Sequence, residues 1–286
     1  LCMPKNNNSR TINLLQLPYL ERQLIVVQPD EVVEATRKAQ ITANVNEAET
    51  DWKTAALRVV QESWKPAVFG IGYFAVEAWS AWVKAREGGL NVLQISRSEA
   101  ANLQFPPGHP REQALYAAHP ALPTVYYTTA TFHRMAFEHK FSEAVYLLMS
   151  LGATKITVEH IKGWSREFSA KLSATLPTAD AELAASRTSS GGSSLLFEAT
   201  LNNEQSPAIP KNLVWYPHEP TWQAIAVGRI EFGLSQFSLT VNYEDDFGIN
   251  AGLKVRAQKA GLDLGGNFED HTATAWKIHG TFSSRV

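Results

Sequence analysis

A helix followed by alternating strands occurs twice in the second half of this chain, and this repeat constrains the possible folds more than any other feature. In both copies a glycine ends an apolar helix, and two inward-facing strand residues follow four and six positions later. These residues are Gly152, Ile156 and Val158 in the first copy, and Gly233, Phe237 and Leu239 in the second. The shared spacing predicts a duplicated unit.

Alternation of apolar and polar residues, which is typical of strands with one dry face, predicts three strands in each unit. In the first copy they lie at 156–158, 164–172 and 195–201, and in the second at 237–243, 253–257 and 276–282. The short turns at 245–248 and 264–266 indicate hairpin ends and therefore antiparallel neighbours. The predicted fold class is α+β, with a helical N-terminal portion and two helix-plus-three-strand units forming antiparallel sheet.

The N-terminal portion, residues 1–110, reads mainly as helices. An acidic first turn and a helical apolar rhythm predict a helix from Asp30, and a second is expected at 46–64. Residues 24–27 form either a short buried strand or an apolar arm, and a further strand is predicted at 91–95. The proline-rich loop at 106–110 is the expected boundary with the duplicated region, 111–286, although both parts could form one compact domain.

Residues 67–83 form the most apolar stretch and contain one charged residue, Glu77. Such a run is short for a bilayer-spanning helix, which needs about 20 apolar residues. A buried core helix is the main interpretation, and a membrane-inserting helix is the alternative.

Composition excludes several classes of site. A net charge of −2 gives no reason to expect nucleic-acid binding, and the single cysteine, Cys2, excludes an intrachain disulfide or a multi-cysteine zinc site. The first residues lack the pattern of a signal peptide, so we expect a cytoplasmic location. No phosphate-binding glycine loop, GxSxG elbow or HExxH motif occurs, and no cofactor or metal is predicted.

Weak candidates for catalysis are four dispersed residues: His133, Glu138, His160 and His218. Within the helix of the first copy, His139 and Glu143 have the i, i+4 spacing of a metal pair. Helical geometry places both opposite the apolar stripe around Phe141, so a solvated helix face is expected instead. The acidic turns at 244–246 and 269–271 could hold a cation or act in acid–base catalysis if they converge, but solvated turns are the simpler interpretation.

The segment WYPHEPTW, at 215–222, is the predicted binding surface, because two tryptophans, a tyrosine and a histidine stand on an expected loop. The proposed binding residues are Trp215, Tyr216, His218 and Trp222.

Two classes of function follow. The first is a non-enzymatic protein that interacts with a protein partner or with itself, with a membrane-active effector acting through 67–83 as a sharper form. The alternative is a hydrolase-like enzyme whose site is assembled from dispersed His, Asp and Glu residues.

Overall fold

A computed structural model describes residues 14–45, 71–164, 195–202 and 206–284, and it confirms the α+β fold. In this part of the chain seven α-helices and eight strands are present, and the strands form two four-stranded sheets. Two compact units can be distinguished. Unit 1 comprises Leu1–Phe132 and Gly248–Asp270, and unit 2 comprises His133–Phe247 and His271–Val286.

The elements follow one another along the chain. The helices are α1 (Tyr19–Arg22), α2 (Asp30–Val45), α3 (Ile71–Glu87), α4 (Arg97–Ala100), α5 (Phe132–Ser150), α6 (Pro220–Phe232) and α7 (Ala251–Ala260). The strands are β1 (Leu24–Gln28), β2 (Val92–Ser96), β3 (Leu115–Ala118), β4 (Tyr126–Thr128), β5 (Ala153–Lys162), β6 (Leu195–Thr200), β7 (Gln236–Tyr243) and β8 (Thr274–Phe282).

Unit 1 contains a mixed sheet with the strand order β2-β1-β3-β4, so the N-terminal portion is less purely helical than predicted. The predicted strands at 24–27 and 91–95 are confirmed as β1 and β2, which pair in parallel, whereas β1–β3 and β3–β4 are antiparallel. All five residues of β1 are buried, because an inner strand covered on both faces needs a continuous apolar run. Strand β3 has no counterpart in the predictions.

Helix α3 is a core element of unit 1, as the main interpretation of 67–83 predicts. Its residues Ala78, Trp79, Ala81, Trp82 and Val83 are buried, while Glu77 is exposed. None of the described helices is both long enough and apolar enough to cross a bilayer.

Helix α7 replaces the strand predicted at 253–257, and that prediction is wrong. Leu253, Ala257 and Ala260 are buried at helical spacing, and Val255 is 48% exposed. Asn250 caps the first turn by accepting the N–H groups of two residues, and Gly261 ends the helix in the left-handed conformation. The turn at 245–248 therefore leads into a helix instead of closing a hairpin.

Unit 2 contains an antiparallel sheet with the order β6-β5-β8-β7. The predicted stripe of α5 is confirmed as buried, and its Phe137 and Phe141 contact Trp276 of β8 edge to face, with centroids 4.8 and 5.0 Å apart. Arg229 of α6 is also buried and donates hydrogen bonds to the carbonyls of Leu151, Leu234 and Ser283. Its guanidinium thus joins the ends of three elements.

Both copies show the predicted order of a helix followed by a strand: α5 precedes β5, and α6 precedes β7. The two strands have different places in the sheet. β5 lies between β6 and β8, whereas β7 pairs with β8 alone among the described strands.

Several predictions concern residues outside the described ranges. They are the helix at 46–64, the start of the apolar run at 67–70 and nearly all of the strand at 164–172.

Candidate functional site

Among the described residues, no strand pairs with the outer side of β7, so its backbone groups there are unpaired. Phe282 donates its N–H to the Ser235 carbonyl at 2.9 Å, and the same antiparallel register continues from Gln236 opposite Thr281. Because hydrogen-bonded and non-hydrogen-bonded pairs alternate in such a ladder, the odd-numbered residues of β7 bond to β8. The N–H and C=O groups of Gln236, Ser238, Thr240 and Asn242 therefore point away from β8.

One of these outward groups is already occupied. The Lys140 ammonium, on α5, donates to the Asn242 carbonyl at 2.8 Å, which agrees with the outward direction derived from the register. Lys140 also forms an ion pair with Glu219 and lies over the Trp215 ring, 5.3 Å from its centroid. The lysine thus limits the available part of the strand to Gln236–Thr240.

An exposed apolar surface precedes this strand. Phe232, the last residue of α6, is 79% exposed, and Leu234 and Val227 are also exposed. Leu234 packs on Gly228, with one of its methyl groups 3.5 Å from where a Cβ would be. Apolar side chains and free backbone groups therefore meet at the beginning of β7.

The opposite side of the sheet is different. Strand β6 carries a charged residue, Glu198, which pairs with Lys155, and a bulge between Val158 and Glu159 interrupts its ladder with β5. Charges and bulges on outer strands hinder pairing with other chains. β7 contains no charged residue, no proline and no register shift.

The predicted solvated face of α5 is instead covered, and that prediction is wrong for Glu143. This carboxylate is only 7% exposed and accepts the backbone N–H groups of Val214, Trp215 and Tyr216 at 2.7, 2.7 and 2.8 Å. Three consecutive N–H groups aimed at one carboxylate compensate for its loss of water. Glu143 therefore fixes the segment that was expected to be a free loop.

His139 holds the same segment one turn earlier. Its Nδ1 accepts the indole N–H of Trp215 at 2.9 Å, so this nitrogen must be unprotonated. Burial lowers the pKa of the His139 imidazole below its usual 6.5, although the Glu143 carboxylate acts in the opposite direction. We call residues 214–219, held by His139, Lys140 and Glu143, the strap.

Within the predicted binding segment, the two tryptophans are packed inside. Trp215 is 8% exposed, and Trp222 is fully buried in α6. Tyr216 is half-buried, and burial raises the pKa of its phenol, while His218 is exposed in a short 3-10 helix. The structure therefore leaves only Tyr216 and His218 accessible for the predicted role in binding.

His133 belongs to a second polar cluster, in the aromatic core of unit 2. Its Nδ1 lies 2.9 Å from the Tyr243 hydroxyl, and either atom can be the donor. The ring of His271 lies 5.0 Å from that of His133 and 5.7 Å from that of Tyr243. A phenol beside an imidazole can exchange a proton with it, but His133 and Tyr243 are almost completely buried.

The other catalytic candidates stand apart from this cluster. Glu138 binds Arg134 on its own helix at 3.2 Å, and His160 of β5 lies 3.4 Å from the Gly163 carbonyl. Glu244 binds Lys162 at 2.9 Å, which lowers the pKa of its carboxyl. Across the described residues, no three His, Cys, Asp or Glu side chains are grouped to hold a metal ion.

Sequence reasoning missed Lys140 and the part that Tyr243 and His271 have in the cluster around His133. Lys140 alone had a usable signal, since it follows His139 and precedes Glu143 on one helix. Its partner Asn242 lies 102 residues away in the chain, and its partner Glu219 lies 79 residues away. No local pattern reports such separations.

Comparisons of the chain with protein-family models, with curated proteins and with solved structures find no match.

Proposed function

We propose that this protein works by binding another protein chain or a second copy of itself, and that β7 is the binding element. The observation that carries the proposal is the uncharged outer side of β7, whose outward backbone groups from Gln236 to Thr240 have no strand partner in the described part of the chain. An added strand would satisfy these groups, as in recognition by β-augmentation.

The apolar residues before β7 support the same role. Phe232, four residues before β7, is 79% exposed, and burying such a side chain contributes roughly 1.5–3 kcal/mol. Backbone hydrogen bonds would give the partner its direction, and Phe232 would add affinity. The proposal places the protein in the cytoplasm, where Cys2 would remain a thiol.

The test is the molar mass of the full chain, measured by light scattering over a range of concentrations. We expect the mass to rise with concentration, and Phe232→Ser to weaken this association. Tyr146→Ser is the matched control, since Tyr146 is an exposed aromatic residue on α5. Self-assembly would be wrong if the wild type stayed monomeric and the β7 amides exchanged with solvent equally fast at every concentration.

A membrane-active form of this proposal requires the apolar stretch 67–83 to insert into lipid, so its described part, within α3, would have to leave unit 1. Trp79 and Trp82 are buried there, so the segment would have to exchange a packed core for lipid. A dye-leakage assay with anionic and neutral vesicles tests it, and intact vesicles under both conditions would contradict it.

An enzyme is the second candidate function, and the observation in its favour is the contact between His133 and Tyr243. His271 is the half-buried member of the cluster, but its Nε2 nitrogen is buried, so this candidate requires a local opening that admits a substrate. Hydrolysis of p-nitrophenyl acetate provides the assay. Catalysis at this cluster predicts that His271→Gln abolishes turnover, and equal rates for both proteins would contradict it.

A further inference from the structure

We infer that the partner of β7 is the β7 strand of a second copy, paired antiparallel across a twofold axis that passes through Ser238. This inference rests on the proposed function and names the occupant of the same surface.

The free backbone groups are arranged symmetrically around Ser238. The two other available residues that point outward, Gln236 and Thr240, lie two positions before and two positions after it. In an antiparallel pair centred on Ser238, Gln236 of one copy faces Thr240 of the other, and the two Ser238 residues face each other. Each of these three pairs exchanges two hydrogen bonds, so about six would join the copies.

The ends of the pairing are fixed by other contacts. Beyond Thr240, the Asn242 carbonyl is already bonded to Lys140 at 2.8 Å. Before Gln236, the chain turns into α6 through Gly233, which has a left-handed backbone with φ 70°. In the proposed register Leu234 of each copy lies opposite Asn242 of the other. The exposed apolar residues before β7 would thus meet the second copy at both ends of the pair.

The side chains of β7 permit pairing with an identical strand. Phe237, Leu239 and Val241 point into unit 2 and are buried, so the other face of β7 carries Gln236, Ser238 and Thr240. Like charges placed directly opposite each other destabilise paired strands, and this face has none. Two copies can therefore pair without repulsion, and their polar side chains can bond to one another.

Charge reversal at the proposed axis tests the register. Ser238 is exposed, so a charged side chain can be placed there without disturbing the core. In Ser238→Lys two ammonium groups would face each other, and in Ser238→Glu two carboxylates would. We expect each variant to dimerise with a Kd at least about tenfold higher than the wild type, which corresponds to about 1.4 kcal/mol.

An equimolar mixture of the two variants should restore dimers, because opposite charges would then meet at the axis. This rescue also shows that both variants are folded. Gln258→Lys, at an exposed position of α7, is the matched control for added charge and should dimerise like the wild type.

The possible outcomes distinguish the proposed axis at Ser238 from self-association in general. If the wild type dimerises and both Ser238 variants dimerise equally well, the axis at Ser238 is wrong, while association through another surface remains. If both variants are weakened but their mixture is not restored, the second β7 strand is not opposite Ser238, and the inference is also wrong. A wild type that is monomeric at every concentration overturns both the inference and self-assembly.

Discussion

Two carboxylates, one in each unit, accept backbone N–H groups in different structural settings. In unit 1, Glu99 accepts the backbone N–H of Ser96 at 2.8 Å and completes a capping box at the start of α4, while Arg37 binds both of its oxygens. In unit 2, Glu143 accepts three N–H groups from residues more than seventy positions away. The capping contact of Glu99 is local and partly exposed, whereas the three contacts of Glu143 are long-range and buried.

The difference shows which polar contacts can be predicted from the sequence and which cannot. The spacing of Ser96 and Glu99 is a standard signature of a helix start, so a capping box can be read from the sequence. Glu143 has no such signature, and its helical position opposite the stripe suggests solvent. Its partners come from a segment that tertiary structure brings to the helix.

The largest expected effect is that of Glu143→Gln. The substitution keeps the size of the side chain but directs an NH₂ group at backbone donors, so we expect a loss of roughly 3 kcal/mol in the free energy of unfolding. Urea denaturation followed by circular dichroism measures it. Glu138→Gln is the matched control, because its ion pair with Arg134 is partly exposed and lies within one helix, and it should cost less than about 0.5 kcal/mol. Equal costs would contradict a special role for Glu143.

A smaller effect is expected for Glu99→Gln. The amide oxygen can still accept from Ser96, but the charge that pairs with Arg37 is lost, so we expect a cost of roughly 1 kcal/mol. The same denaturation experiment measures it. If this variant were destabilised as much as Glu143→Gln, the greater burial of Glu143 would not determine the cost of replacing a carboxylate.

The smallest expected effect is the pH dependence that distinguishes the units. His139 has a pKa below 6.5 in the folded chain, so its unfolded form binds protons more readily, and stability should fall as pH drops below 6.5. In unit 1, partial burial raises the pKa of Asp30, but hydrogen bonds from Ser98, Ser96 and Arg97 outweigh it and lower the pKa below 3.8. Its contribution should persist to lower pH and be lost only below 3.8.

Urea midpoints measured as the pH falls below 6.5, and then below 3.8, check this prediction. In His139→Gln the decrease in stability just below pH 6.5 should become smaller, because that side chain takes up no proton. An unchanged decrease would show that other groups cause it.

Strong periodic patterns predicted the elements well. The apolar run of β1, the stripe of α5 around Phe141 and the alternation of β7 correspond to buried residues in the structure. Helix α7 shows the weakness of a short pattern, since Leu253, Val255 and Ala257 fit a strand as well as a helix. The capping signals at Asn250 and Gly261 would have resolved the ambiguity.

The candidate sites were harder to predict. The segment at 215–222 has the composition of a recognition loop, but Glu143 and His139 hold it, and its tryptophans are packed. The sequence did not predict that the outer side of β7 is available for binding, because an inner strand and an edge strand can have the same alternating pattern. The position of a strand in its sheet depends on its neighbours, which the pattern does not contain.

The sequence by itself determined the fold class, the position of most helices and strands, and which face of each is apolar, because these depend on the spacing of residues close together in the chain. Tertiary structure decided that β7 lies at the end of the described sheet beside β8, that Lys140 donates a hydrogen bond to the Asn242 carbonyl, and that Glu143 is buried under the strap. The physical reason is that each of these contacts joins residues far apart in the chain, and only the folded backbone brings their donors and acceptors within hydrogen-bonding distance.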